Sequence, residues 1–231
     1  MIDVIVCHVC DLLYPQWMYR MNKDRDLFGK IIVMMTQKSD DRDYTDYLKS
    51  HIKAQVISEY RHDSPDWRDS AIKEALFETR GDRVLFLEQD FIVEDGFFKK
   101  LFELDYDLGS DYKYDTIGLR DGNRFHPACL LVKQTAIART RRDFSVDTDV
   151  GDHFYKFSQD LEKIGNWVSL KNLNLPKHEH ISGLTQNFRL TKNFHHPKRF
   201  YDYLMESLEY DQPDDWRLFT ISKAKEVKNA A

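Results

Sequence analysis

Short runs of β-branched and aliphatic residues alternate with helix-period stretches over the first hundred residues, and this alternation restricts the fold more than any other feature. Strands are predicted at residues 2–7, 30–35, 55–58 and 83–87. Apolar side chains recur at helical spacing between the second and third runs, and again between the third and fourth. Alternating strands and helices are typical of a parallel sheet with helices on its faces. The sequence therefore predicts an α/β fold.

The pattern becomes less regular after residue 105. Further strands are predicted at 116–119, 128–133 and 167–170, and helices at 152–164 and 200–208. The His-rich stretch 178–196 is expected to be irregular, and a polar tail from residue 222 is expected to fray. We therefore expect two halves of one domain, 1–104 and 105–221, followed by a flexible tail, 222–231.

The composition excludes several classes of protein. Subtracting 39 acidic from 34 basic residues leaves a net charge of −5, so no overall positive field favours unspecific nucleic-acid binding. Apolar runs fall far short of the roughly 20 residues that cross a bilayer. The start lacks the pattern of a secretory signal, and three cysteines cannot form a disulfide framework. A cytoplasmic protein is expected.

An acidic cluster directly follows the fourth predicted strand. Strand alternation places Glu88 and Asp90 on one side, with Gln89 opposite. Ligands of open α/β sheets bind outside the carboxyl ends of the strands. Two adjacent carboxylates suit Mg²⁺ or Mn²⁺, which often complete their shells with water and substrate phosphates. The alternative is that both residues only end the strand and cap the next helix.

Residues 2–102 resemble the nucleotide-sugar-binding half of the GT-A glycosyltransferases, particularly family 2-like members. The motifs that carry this resemblance are, in chain order, Arg68-Asp69, Gly81-Asp82, the apolar run 84–87, Glu88-Gln89-Asp90 and Glu94-Asp95-Gly96-Phe97. Glu88 stands where the family has Asp, and Asp69 where it has Asn. The resemblance implies a Rossmann-like sheet with helices on both faces. It makes 1–104 the nucleotide-sugar-binding half and 105–221 a smaller acceptor-side half.

The resemblance also implies roles for individual residues. The candidates for contacting the nucleotide sugar are His8, Asp40, Asp63 and Arg68. The candidates for holding the metal are Glu88, Asp90 and His180. The candidates for the catalytic carboxylate of an inverting reaction are Asp152 and Asp149. The alternatives are a backbone-bonded loop histidine at position 180 and helix-capping aspartates at 149 and 152.

Two other features remain open. Cys7 and Cys10 have the spacing of half a zinc motif, but no second cysteine pair exists, so buried strand-end cysteines are the simpler interpretation. Basic residues concentrate at 133–142 and 189–199. These windows suit a diphosphate, a nucleic-acid backbone or merely a solvated face.

The leading hypothesis is a metal-dependent glycosyltransferase using Mn²⁺ or Mg²⁺. It would move a sugar from a nucleoside diphosphate sugar, with a UDP-sugar favoured, to a hydroxyl acceptor. The acceptor would be a saccharide, a small molecule or a hydroxymethylated DNA base. One alternative is a nucleotidyltransferase, although residues 7–15 contain no glycine for a phosphate-binding loop. The other is a catalytically degenerate GT-A-like binding module.

Overall fold

A computed structural model describes residues 1–10, 15–37, 45–58, 67–106, 112–145, 147, 154–181 and 183–230, with only the backbone described at 7–10, 35–37, 45, 56–58, 67–68, 185–186 and 189. The strands are β1 (Ile2–Cys10), β2 (Ile31–Gln37), β3 (Gln55–Ser58), β4 (Arg83–Leu87), β5 (Phe91–Val93), β6 (Thr116–Asp121), β7 (Arg124–Lys133), β8 (Trp167–Ser169) and β9 (His178–His180). The helices are α1 (Pro15–Lys23), α2 (Thr45–Ile52), α3 (Trp67–Glu78), α4 (Phe97–Asp105), α5 (Gln134–Ala138), α6 (Tyr155–Ile164), α7 (Leu184–Arg189), α8 (Pro197–Ser207) and α9 (Asp214–Ala230).

Seven strands form the main sheet, in the order β3-β2-β1-β4-β7-β6-β8. Strands β1 to β4 are mutually parallel, with Val4 paired to Ile31 on one side and to Leu85 on the other. Strand β7 runs antiparallel to both β4 and β6. The carboxyl ends of β1 and β4 therefore lie at the same edge of the sheet, where α/β proteins place their ligands.

Helices cover both faces of the sheet, because side chains on its central strands alternate between two apolar clusters. Val4 and Leu85 pack on one face with residues from α1, α2, α4, α8 and α9. Ile5 and Phe86 pack on the other face with residues from α3, α5 and α6. The arrangement confirms the predicted α/β class with a mostly parallel central sheet. No helix among the described residues is long and apolar enough to cross a membrane.

A small two-stranded ribbon lies beside the main sheet. Strand β5 pairs antiparallel with β9, with Phe91 opposite His180. Strand β9 lies within the segment 178–196 that was expected to be irregular, and that segment also contains α7. The polar strand β9 and the six-residue helix α7 leave no clear periodic signal in the sequence. The ribbon brings His180 back to the chain that leaves β4.

The C-terminal segment differs from the expected fraying tail. Helix α9 continues to Ala230, and Trp216, Ala224 and Val227 are buried against the core. Lys223 is also buried, and its Nζ donates hydrogen bonds to the Leu190 carbonyl and to Glu226. Residues 222–231 are polar in composition, but a narrow stripe of buried side chains runs along this part of α9. The expected division into halves at residues 104 and 105 stays a prediction.

Candidate metal centre

Four side chains converge beyond the carboxyl end of β4. Glu88 is the first residue after the strand, and its backbone N–H donates to the Ala128 carbonyl in β7. A tight turn, in which the Phe91 N–H bonds the Glu88 carbonyl, presents Asp90. His180 ends β9, and His126 lies near the start of β7. Strand ends, the turn and the ribbon together bring two carboxylates and two imidazoles to one place.

The distances within this group are short. His180 Nε2 lies 3.5 Å from Glu88 Oε2 and 3.5 Å from Asp90 Oδ1. His126 Nδ1 lies 3.7 Å from the same Glu88 oxygen. One possible ligand atom each from Glu88, His126 and His180 lies within 4.8 Å of the others. The arrangement is compact enough for one ion to contact several of these atoms.

The burial of the group also suits a cation. The four side chains are between 15% and 19% exposed, so each is shielded from water without being closed off. Asp90 Oδ1 is itself buried and, beyond the 3.5 Å contact with His180 Nε2, accepts no hydrogen bond from the described residues. Buried polar atoms normally have a well-formed partner, and a bound ion is one accepted explanation for an exception. The carboxylate and imidazole donors present here fit a divalent metal.

The electrostatics of His180 reflect its two acidic neighbours. Burial acts to lower the pKa of the imidazole, but the Asp90 carboxylate, together with the charges of Glu88 and Asp121, outweighs burial and raises it above the ordinary value. The cluster therefore concentrates negative charge. A proton on His180 would offset part of that charge.

A bulge in the β6–β7 hairpin places His126. Gly118 pairs with Leu130, but the next residue, Leu119, pairs with His126, so three residues of β7 have no counterpart in β6. Bulges bend a strand and redirect its side chains, and they are frequent beside active sites. The backbone N–H of Ala128 then donates to His126 Nδ1 at 3.1 Å and fixes the ring.

His126 is absent from the sequence-derived candidates. The predicted strand begins at residue 128, so His126 falls outside every predicted strand and helix. A signal was present, because a histidine stands in an otherwise apolar run from Phe125 to Val132. Recognising it needed the pairing of β7 with β4, which local sequence patterns do not give.

The other predicted site residues are described less completely. The structure brings Glu88, Asp90 and His180 together. For His8 in β1 and Arg68 in α3, only the backbone is described. Asp40, Asp63, Asp149 and Asp152 lie outside the described residues. The predicted roles of His8, Arg68 and these four aspartates therefore stay predictions.

Asp69, the other member of the Arg68-Asp69 pair, has structural partners. Its Oδ1 accepts a hydrogen bond from the Phe144 N–H at 2.8 Å, and its Oδ2 lies 2.5 Å from Lys73 Nζ. The aspartate thus ties α3 to the segment that follows α5. Cys129 is a free thiol buried in β7, where desolvation raises its pKa above the ordinary range.

Four residues of the basic windows are engaged in ion pairs. In the first, Lys133 pairs with Asp115 and Arg141 with Asp160. In the second, Lys198 pairs with Asp202, and Arg199 pairs with Glu179 and Glu206. These contacts favour structural roles for the four basic residues named here.

A polar cavity of about 670 Å³ lies beside the ribbon. Residues from α1, the β5–β9 ribbon and α8 line it, among them Gln16, Glu179 and Arg199. Its lining includes His178 and Glu179 of β9 but none of Glu88, Asp90, His126 and His180. The cavity is therefore formed by different side chains from those of the candidate metal centre.

Comparisons with known proteins identify the fold. Neither protein-family models nor curated protein sequences gave a match. Among solved structures, S. aureus TarS 1-349 superposes with a TM-score of 0.55 at 11% identity, over 99% of this chain and 71% of that chain. The longer TarS chain gives the same TM-score and identity, with 99% of this chain matching 43% of that one.

A second protein gives a similar result. Glucosyl-3-phosphoglycerate synthase from Mycobacterium tuberculosis, in complex with Mn²⁺, UDP and glucosyl-3-phosphoglycerate, superposes with a TM-score of 0.51 at 15% identity, over 78% of this chain and 71% of that chain. In its complex with Mn²⁺ and UDP-glucose the match covers 60% of this chain and 57% of that one, with a TM-score of 0.42 and 14% identity. This chain thus spans under two thirds of some of these proteins. It has a GT-A-like fold, as its sequence resemblance implied.

Proposed function

We propose that the chain is a metal-dependent glycosyltransferase that moves a sugar from a nucleoside diphosphate sugar to a hydroxyl acceptor. The observation that carries the proposal is the cluster of Glu88, Asp90, His126 and His180 at the carboxyl end of β4. In a GT-A-like fold this edge of the sheet is where a nucleotide ligand is expected. Complexes of the structurally similar synthase with Mn²⁺ and UDP support Mn²⁺ and a UDP-sugar as the first choices.

The cluster would act on the leaving group. Glu88, Asp90 and His180 would hold Mn²⁺ or Mg²⁺ beside the diphosphate. A divalent ion in that position offsets the negative charge that develops on the diphosphate oxygens. His8, Asp40, Asp63 and Arg68 would bind and orient the nucleotide sugar in the half formed by residues 1–104.

The transfer itself exchanges one bond for another. The bond between the anomeric carbon and the diphosphate oxygen breaks, and its electron pair leaves with the nucleoside diphosphate. The acceptor oxygen forms the new bond to the anomeric carbon. In an inverting reaction the acceptor proton passes to a carboxylate, for which Asp152 and Asp149 in the acceptor-side half are the candidates. The net charge of −5 favours a saccharide or small-molecule acceptor over DNA.

Thermal unfolding with a panel of nucleotides and nucleotide sugars, each with and without Mn²⁺, tests the proposal. A ligand at a hundredfold excess over its Kd stabilises a protein by about 2.7 kcal/mol, a shift of several degrees for a chain of this size. We expect a UDP-sugar to produce this shift only with Mn²⁺ present. Asp90→Ala should abolish the metal-dependent part of the shift in unfolding temperature.

A nearby acidic residue provides the matched control. Glu94 is exposed and follows β5, outside the cluster. The unfolding temperature of Glu94→Gln should therefore rise with UDP-sugar and Mn²⁺ as much as that of the wild type. Release of nucleoside diphosphate on adding an acceptor would support sugar transfer, whereas release of pyrophosphate would indicate a nucleotidyltransferase. A protein that no nucleotide stabilises, with or without metal, would contradict the proposal and favour a binding module.

A further inference from the structure

His126 is placed as a metal ligand would be, although the sequence motif of the site does not include it. Its side chain is 19% exposed and lies 3.7 Å from Glu88 Oε2. Its ring centroid is 4.5 Å from that of His180. The β7 bulge and the Ala128 N–H hold this position, so the ring is fixed by the backbone.

The spacing of the candidate donor atoms matches that around a single ion. Neighbouring ligand atoms that are each about 2.1 Å from an ion lie about 3.0 Å apart in octahedral geometry and about 3.4 Å apart in tetrahedral geometry. Glu88 Oε2 lies 3.5 Å from His180 Nε2, and one possible ligand atom each from Glu88, His126 and His180 lies within 4.8 Å of the others. Nδ1 of His126, 3.7 Å from Glu88 Oε2, accepts the Ala128 N–H, so Nδ1 would exchange that bond for the ion or the ring would present Nε2. A small movement of the side chains would then bring all three onto a common ion.

We propose that His126 is a direct metal ligand, and that two imidazoles with the Glu88 carboxylate make the site selective for Mn²⁺, Co²⁺ or Zn²⁺ over Mg²⁺. The inference rests on the proposed function only in that it concerns the same metal site. Two histidines and one glutamate are an established donor set for transition metals. With Asp90 as a further ligand, a six-coordinate ion would keep two positions for the diphosphate.

The selectivity follows from the chemistry of the donors. Mg²⁺ prefers oxygen ligands in near-octahedral geometry and gives up its water reluctantly. Imidazole nitrogen suits later first-row ions, and divalent affinity rises from Mn²⁺ towards Cu²⁺ before falling at Zn²⁺. A site with carboxylates alone would discriminate less against Mg²⁺. His126 is thus the residue that adds the second nitrogen donor.

Pulsed electron paramagnetic resonance of the Mn²⁺-loaded protein tests ligation, because it counts directly bound nitrogens whichever ring nitrogen is used. We expect two in the wild type, one in His126→Ala and one in His180→Ala. His51→Ala, which alters an exposed histidine on α2, should still show two. His126→Gln provides a second variant should the alanine protein fail to fold.

Metal titrations without nucleotide test selectivity. Losing even a residue that only supports a metal ligand weakens affinity by about 10- to 100-fold, so His126→Ala should raise the Kd for Mn²⁺ at least tenfold. The Kd for Mg²⁺ should change much less, so the preference for Mn²⁺ over Mg²⁺ should shrink. An unchanged preference, or two bound nitrogens in both His126 variants, would overturn the inference.

The two proposals fail in different ways. A protein that binds Mn²⁺ through two nitrogens but transfers no sugar would contradict the proposed function and leave the ligation intact. The converse result is sugar transfer that proceeds equally well with Mg²⁺ or Mn²⁺ and is unaffected by His126→Ala. That result would leave the proposed function intact and contradict the role of His126 as a metal ligand.

Discussion

His180 lies between the carboxylates of Glu88 and Asp90, and its charge in the metal-free protein depends on them. Its folded pKa is raised above the unfolded value. The protonated ring therefore stabilises the folded state fully below the unfolded pKa, and this stabilisation disappears as the pH rises through the folded pKa. His180→Gln should then lower the free energy of unfolding more at about pH 5.5 than at about pH 8.5.

Urea denaturation in the presence of a chelator, at both pH values, measures this difference. His51→Gln is the matched control, because His51 is exposed on α2 and lies outside the cluster. Equal losses of stability for His180→Gln at the two pH values would show that the carboxylates do not favour the charged ring.

The residues of the candidate metal centre differ in how they could be recognised from the sequence. Glu88 and Asp90 could be predicted, because a buried run ends at them and alternation puts them on one side. His180 was found only through the family resemblance. His126 was not predicted, because its position at the site depends on the β4–β7 pairing and on a bulge beside Gly118. Local patterns carry no information on either.

At the scale of elements, the sequence pattern predicted the seven strands of the main sheet and missed the two strands of the ribbon. Strands β1, β2 and β4 have strongly apolar sequences and were readily anticipated. Strand β9 consists of His178, Glu179 and His180, which have no strand-like composition. Its pairing with β5 is a tertiary effect that overrides local propensity. Helix α9 was missed for a similar reason, since its buried positions are separated by charged ones.

The burial of α9 leads to a prediction about truncation. Ending the chain after Ile221 would remove Lys223, Ala224 and Val227, all buried in the full chain. Lost apolar burial and the cavity left behind should reduce the free energy of unfolding by about 2–4 kcal/mol. Denaturant melts of this truncation measure the loss.

A shorter truncation is the control. Removing only the last two residues leaves these buried side chains in place and should not change stability. If ending the chain after Ile221 is equally harmless, the segment frays as its composition suggested and the packing of its last two turns contributes nothing.

At the scale of the whole molecule, one sheet runs through both predicted halves. Strand β4 belongs to residues 1–104 and β7 to residues 105–221, and the two strands pair over five positions. A buried ion pair crosses the same boundary, since Arg83 Nη2 lies 2.7 Å from Asp105 Oδ2, with both side chains at most 2% exposed. Arg83 Nη1 also donates to the Tyr114 carbonyl at 2.8 Å. The halves should therefore unfold together.

Asp105→Asn tests this coupling. Removing one partner of a buried ion pair typically costs about 3–5 kcal/mol, because the other charge stays desolvated. We expect such a loss, with amides of β2 and β6 showing the same reduced free energy of opening in native-state hydrogen exchange. Glu78→Gln, which removes the partner of Lys30 in a partly exposed pair, should have a much smaller effect because water screens that pair. If protection falls in β6 but stays at the wild-type level in β2, the halves are separate cooperative units, despite the continuous sheet, and the metal centre at their junction would have to be assembled by docking rather than by folding.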